Sequence, residues 1–145
     1  DAYATICRQN YFIKFEIEAH QEIEKGISAE NLSKLYLGTL KEQFGNSVRI
    51  DPLFKYEWSY ISHIFESPFY CYAYNFGELL SYALWANYKK EPEKWIKIIE
   101  NILESGGSED PQIVLKRAGV DISDDKFWQK SFETIEEWQN ELEKL

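Results

Sequence analysis

The sequence predicts an all-α fold, a compact multi-helix bundle of about seven helices in one all-helical domain over residues 1–145. Three observations predict it. Apolar residues recur at helical period along nearly the whole chain, and no stretch alternates at the two-residue period of a half-buried strand. Ser, Asp-Pro and Gly fall where the periodic runs begin and end.

The first helix is expected over about Ala2 to Lys25. Ile6, Ile13, Ile17 and Ile23, with Tyr11, Phe12 and Phe15, form a wide apolar face, and Gly26 stops it. Ser28 caps a second helix whose stripe is Leu32, Leu35, Tyr36, Leu40 and Phe44, ending at Gly45. After a connection, Asp51-Pro52 opens a short third helix over Leu53 to Phe65. Ser67-Pro68 repeats that signal before the most apolar stretch, Phe69 to Tyr88. Its aromatics surround the helix rather than form one stripe, which predicts a central helix or one lining a cavity. Lys89 to Pro92 breaks the pattern. Trp95, Ile98, Ile99, Ile102 and Leu103 give the next helix, and Ser105-Gly106-Gly107-Ser108 terminates it. Asp110-Pro111 starts a short helix that Gly119 ends. The last runs from about Asp124 to Leu145, with Trp128, Phe132, Ile135, Leu142 and Leu145 facing inward.

Composition narrows the function. The 145 residues carry a formal charge of −9, against which no Lys/Arg cluster stands, so nucleic acid is not an expected partner. No run approaches the roughly 20 apolar residues that span a bilayer, so no membrane span is expected. Aromatics at 17% exclude wholesale disorder. Cys7 and Cys71 read as two buried thiols in a reducing compartment, and a cytoplasmic location follows from that reading. Methionine is absent even at position 1, which suggests a piece of something longer.

Metal chemistry within the chain is not expected. Only His20 and His63 are present, there is no HExxH, and no cysteine lies in a CxxC. Glu16 and His20, at i and i+4, read as a surface pair. The Gly-Gly loop lacks the lysine and the preceding strand of a phosphate-binding loop, and reads as a turn. The unusual local feature is His63 followed by Tyr70, Tyr72 and Tyr74. A hydroxyl pair beside an imidazole suits hydrogen bonding to a developing oxyanion or to a peptide backbone. On composition and spacing alone, burial is the favoured account of each of these residues, because a tyrosine with a satisfied hydroxyl is common in cores.

Residues in one order and spacing connect these features to a known family. They are Arg8-Gln9 with Phe15-Glu16 and His20; Leu32, Leu35, Tyr36 and Gly45; Tyr56-Glu57-Trp58, Ile61, His63, Pro68-Phe69-Tyr70, Tyr72, Tyr74 and Gly77; then Gly106-Gly107-Ser108, Pro111 and Ala118 to Asp121. Over nearly its whole length the chain resembles the C-terminal portion of the oligoendopeptidase F type zinc metallopeptidases, relatives of thimet oligopeptidase.

The resemblance implies a C-terminal substrate-channel portion of a metalloendopeptidase that hydrolyses peptide bonds in oligopeptides. Zinc, its HExxH segment and the general-base glutamate would lie in the upstream catalytic part of the same protein. No metal ligand is expected here, and the fragment is expected to be inactive alone. The resemblance gives His63, Tyr70 and Tyr74 catalytic roles as hydrogen-bond donors. Tyr72, Gly106, Gly107 and Ser108 are expected to bind substrate. The sequence departs from the family at Ser62, where a proline is usual, at Asn75-Phe76, and at Glu109-Asp110, where a tyrosine is usual. These departures keep a second reading open: a free-standing, non-catalytic helical remnant that binds peptide, a partner chain or itself.

Overall fold

A computed structural model describes residues 2–145. Asp1, with which the expected domain opens, lies outside the described residues. Every regular element among the described residues is helical, which agrees with the predicted class. The chain divides into two compact units, one ending at Phe76 and the other running Gly77–Leu145. The division falls inside a helix.

The first unit begins with a π-helical segment, Tyr3–Arg8, that continues without a break into α1, Gln9–Glu24. Gly26 takes φ 81°, a conformation open to glycine at little cost, and lets the chain leave α1 for α2, Ala29–Phe44. Ser28 caps α2 as its sequence position predicts, its Oγ accepting from the Asn31 N–H at 3.3 Å. The two helices pack on one another. Their core is Phe12, Phe15, Ala19, Leu32, Tyr36 and Leu40 with Cys71. Phe15 meets Tyr36 edge-on, ring centroids 4.9 Å apart.

The single helix expected over 53–65 is two. Asp51 Oδ1 accepts from the Leu53 N–H at 2.8 Å and opens a 3-10 helix, Pro52–Tyr60. Extended backbone at Ile61 then separates it from a five-residue helix, α3, Ser62–Glu66. No residue of the 3-10 helix is buried, so no apolar face holds it to α-helical pitch.

α4, Cys71–Lys90, starts two residues later than expected and crosses from one unit into the other. It is not the apolar-walled central helix that its composition suggested. Its buried positions are Cys71, Asn75, Ala83, Ala86 and Asn87, whereas Tyr72, Tyr74 and Trp85 are exposed. Small residues make the close-packed face, and the large rings lie off it.

The second unit continues with α5, Pro92–Ser105, α6, Pro111–Arg117, and α7, Asp125–Leu142. Asp110 opens its helix as the sequence predicts, accepting from the Gln112 N–H at 2.8 Å, and Asp124 caps α7 by accepting from the Lys126 N–H at 2.9 Å. Trp95, Val114, Leu115, Val120 and Phe127 are buried. The inward face of α7 is a correction. Phe132, Leu142 and Leu145 are exposed, and Phe127, Ser131 and Thr134 are buried instead. Ser131 Oγ donates to the Leu79 carbonyl at 2.6 Å, and Thr134 Oγ1 to Lys130 O at 3.0 Å. Two hydroxyls that satisfy themselves on backbone carbonyls thus form a buried face that apolarity alone does not reveal.

The cysteines also differ from expectation. Both are free, but only Cys71 is buried; Cys7 is exposed. Burial, with the negative charge of Glu16 as the second cause, pushes the Cys71 thiol above its ordinary range.

Candidate functional site

The first unit brings His63, Tyr70 and Tyr74 together. α3 carries His63, half-buried, at its second position. The turn Ser67–Tyr70 reverses the chain, with the Tyr70 N–H donating to Ser67 O at 3.0 Å, and α4 then carries Tyr74. The His63 ring stacks on Tyr70 at 5.3 Å with 7° between planes. Tyr74 meets both rings edge-on, at 5.8 Å from His63 and 5.4 Å from Tyr70. Tyr74 Oη and His63 Nε2 share a 3.2 Å hydrogen bond whose direction follows the imidazole tautomer. The cluster is not core: Tyr70 and Tyr74 are both exposed.

Tyr72 is not part of the cluster. Two residues along a helix turn a side chain by about 200°, so Tyr72 projects away from Tyr70 and Tyr74. It is 62% exposed. Gly106, Gly107 and Ser108 belong to the second unit and are the turn the sequence predicts. The Gly106 N–H donates to Leu103 O at 3.1 Å, and Ser108 Oγ to Ser105 O at 2.7 Å. Arg117 ties the turn to the helix that follows, reaching Glu109 Oε1 at 2.6 Å and Oε2 at 2.9 Å. Glu109 and Asp110, which stand where the resembled family has a tyrosine, thus serve an ion pair and a helix cap.

Two polar arrangements were not read as chemistry from the sequence. Glu57 accepts from Arg8 Nη2 at 2.6 Å and from Tyr36 Oη at 2.7 Å. Tyr36 is 1% exposed; burial and then the hydrogen bond to Glu57 drive its hydroxyl well above the usual tyrosine range. Arg8 and Glu57 also border a cavity of about 200 Å³ whose apolar wall includes Leu40, Phe44, Ile50 and Phe54. None of the sequence-predicted site residues lines it.

The second arrangement corrects the surface pair expected at Glu16 and His20. Glu16 is 1% exposed, and its Oε1 accepts from the Phe69 N–H at 2.7 Å. His20 is exposed and lies 5.2 Å from the Phe69 ring. The wide apolar face of α1 was the available signal: a carboxylate within it sits on the side that packs.

Among the described residues no group of three or more His, Cys, Asp or Glu side chains is placed to hold a metal ion. The described residues do not fit a zinc centre of their own. Among them, too, no helix is long and apolar enough to cross a membrane.

Helical architecture and an imidazole–tyrosine cluster are the setting in which known proteins become informative. The chain belongs to peptidase family M3, whose family model matches residues 1–134. It is 32% identical over 143 residues to the oligopeptidase PepF of Bacillus subtilis (strain 168), covering 97% of this chain and 21% of that protein. It is 33% identical over 125 residues to an oligoendopeptidase F homolog of Borreliella burgdorferi, covering 85% of this chain and 21% of the relative. The crystal structure of oligoendopeptidase-F from Enterococcus faecium superposes with a TM-score of 0.83 at 33% identity, over 98% of this chain and 27% of that one. A putative peptidase from Chlamydophila abortus gives 0.80 at 31% identity, over 97% of this chain and 24% of that one. The chain therefore matches a portion of an oligoendopeptidase F and spans about a fifth of the length of these curated relatives.

Proposed function

We propose that this chain forms part of the substrate-channel wall of a metalloendopeptidase that hydrolyses peptide bonds in oligopeptides. One observation carries the reading. His63, Tyr70 and Tyr74 form a contiguous, partly exposed cluster with an imidazole and a phenol in hydrogen-bond contact. When Nε2 carries a proton it donates to Tyr74 Oη, and the phenolic proton is free to point outward. That proton can then meet a developing oxyanion or a substrate carbonyl. Donors already held in place act at little reorganisation cost. Tyr72 and the Gly106–Ser108 turn are assigned to peptide contacts in the same reading.

Zinc belongs in this scheme to the upstream catalytic part of the complete enzyme, on an HExxH segment. The side chains here contribute donors and channel shape, and the chain alone is inactive. A cytoplasmic location goes with two unpaired thiols. In the full-length protein, His63→Ala should lower kcat for a quenched oligopeptide by at least tenfold with folding intact. An unchanged rate removes His63 from the site. Incubated with zinc, the isolated chain should show no cleavage; chelator-sensitive turnover would place the metal ligands here after all.

A second reading has its own observation. Along the 3-10 helix, Leu53, Phe54 and Tyr60 are exposed, Tyr60 at 91%. An apolar surface of this kind suits a binding remnant that holds a peptide or a partner chain, or that self-associates. A reading frame with no HExxH ahead of Asp1, together with dimerisation lost on Leu53→Ser, favours the remnant. An HExxH there favours the peptidase.

A further inference from the structure

We propose that Glu16 is a positioning residue for the His63–Tyr70–Tyr74 cluster, because it holds the turn at Phe69, next to which Tyr70 stands and from which α4 carries Tyr74. This deepens the functional reading above and rests on it for what the cluster does, though not for how the cluster is built. Phe69 is the one non-glycine residue at positive φ among the described residues, at 61°. A phenylalanine has no short polar side chain to favour that region, and such backbone persists only where its surroundings over-determine it.

Those surroundings come from one face of α1. Glu16 Oε1 accepts the Phe69 N–H at 2.7 Å, and His20, one turn further along, lies against the Phe69 ring at 5.2 Å. Backbone and ring of the same residue are therefore held by neighbouring positions of one helix. The consequences run straight into the site. Phe69 O accepts from the Tyr72 N–H at 3.1 Å, and Tyr70 O from Ala73 at 2.9 Å, so this turn sets the first turn of α4. Tyr70 is the residue next to the held N–H, and its ring is the one that His63 stacks on.

Burial argues against a packing role for Glu16. A carboxylate at 1% exposure is costly unless hydrogen-bonded, and its Oε2 has no hydrogen-bond partner among the described residues. An apolar side chain would fill the same space at less cost. What Glu16 adds is an acceptor aimed at one strained N–H.

The test uses this chain and the NMR signals of its two histidines, assigned with His20→Gln. Tyr70→Ala gives the reference shift of the His63 Cε1–H when the stacked ring is gone. In Glu16→Ala, with helical circular dichroism retained, that signal should move by at least half the reference shift. Glu16→Gln keeps a carbonyl acceptor and should leave it near the wild-type position. A folded Glu16→Ala with an unmoved His63 signal overturns the proposal. So does a Glu16→Gln that moves the signal as far as Glu16→Ala.

Should Glu16→Ala not fold, Phe69→Gly supplies the second arm, since glycine adopts this φ freely. In that background Glu16→Ala should fold and shift His63 less than half as far as Tyr70→Ala does. Failure to fold there, or a full-sized shift, overturns the proposal. In the full-length protein Glu16→Ala should lower kcat by about tenfold to a hundredfold, a cost typical of misplaced groups, with KM little changed. If His63→Ala leaves cleavage unchanged while the NMR arms succeed, the functional reading fails and the positioning role stands.

Discussion

The two units satisfy their polar groups in different ways. In the first, the defining hydrogen bonds join residues far apart in sequence: Arg8 and Tyr36 to Glu57, Trp58 Nε1 to Ser33 Oγ at 3.0 Å, and Phe69 to Glu16. In the second, most are local. Asp110 and Asp124 cap the helices they begin, and Asn87 Nδ2 and Ser105 Oγ donate to the carbonyls of Ala83 and Asn101 four residues back. Ser131 and Lys130 of α7 are exceptions, reaching Leu79 and Asn87 on α4. Local hydrogen bonds build regular helices. Long-range ones bend the chain into turns such as that at Phe69, and the candidate site stands beside those turns.

Mutations can break this contrast. Phe15→Ala should have the largest effect, because it removes a ring that is 1% exposed at the centre of the first unit's core. It should cost about 3–5 kcal/mol in chemical denaturation. A loss below about 1 kcal/mol would mean the core is not where the packing places it.

Next comes Glu57→Ala, which leaves the buried Tyr36 hydroxyl and Arg8 without their shared acceptor, at a cost of about 2 kcal/mol. The matched test in the second unit is Asp124→Ala, which removes one local cap and should cost about 1 kcal/mol. If the two losses are equal, the long-range network contributes no more than a cap, and the contrast between the units fails.

Alkaline titration sharpens the same comparison. Tyr36 and Cys71 in the first unit, and Tyr82 in the second, are all held above their ordinary values. Burial and then the Glu78 carboxylate push Tyr82 up to about 12. These groups stay protonated in the native state at pH values where the unfolded chain has lost the protons. Stability is therefore unaffected below about pH 8.5 and falls as pH rises through the ordinary Cys and Tyr values. Thermal scans should be level from pH 7 to 8 and decline from pH 9 to 11, with a shallower decline in Tyr36→Phe. The smallest effect is chemical. An alkylating reagent should modify the exposed Cys7 in the native chain within minutes and reach Cys71 only on unfolding. Equal labelling would place Cys71 outside the core.

Much of the fold was legible because its signals are local. Ser28, Asp51 and Asp110 cap helices as their positions predict, and Gly26, Gly45, Gly106 and Gly119 end segments at positive φ. The stripe Leu32, Tyr36, Leu40 is buried as spaced. Less legible was whatever depends on the partner surface. Apolarity pointed to Phe132 and Leu142 as the inward face of α7, and Ser131 and Thr134 hold it. For the site, the sequence singled out His63, Tyr70 and Tyr74, and tertiary packing gathers them. The same packing separates Tyr72 from its neighbours, since helical rotation sends alternate residues to opposite sides. Glu16 was misread because nothing along the sequence links it to the cluster: it stands 53 positions from the residue whose N–H it holds.

By itself, then, the sequence determined helix class, most helix ends and the identity of the imidazole and phenols, since periodicity, capping and composition act over a few residues. Only the tertiary structure decided that Glu16 is buried, that Phe69 is held in left-handed backbone, and that the His63 imidazole lies flat on one tyrosine and bonded to another. Those outcomes turn on which distant groups exclude water from a carboxylate and offer it an N–H, and no local pattern records that choice.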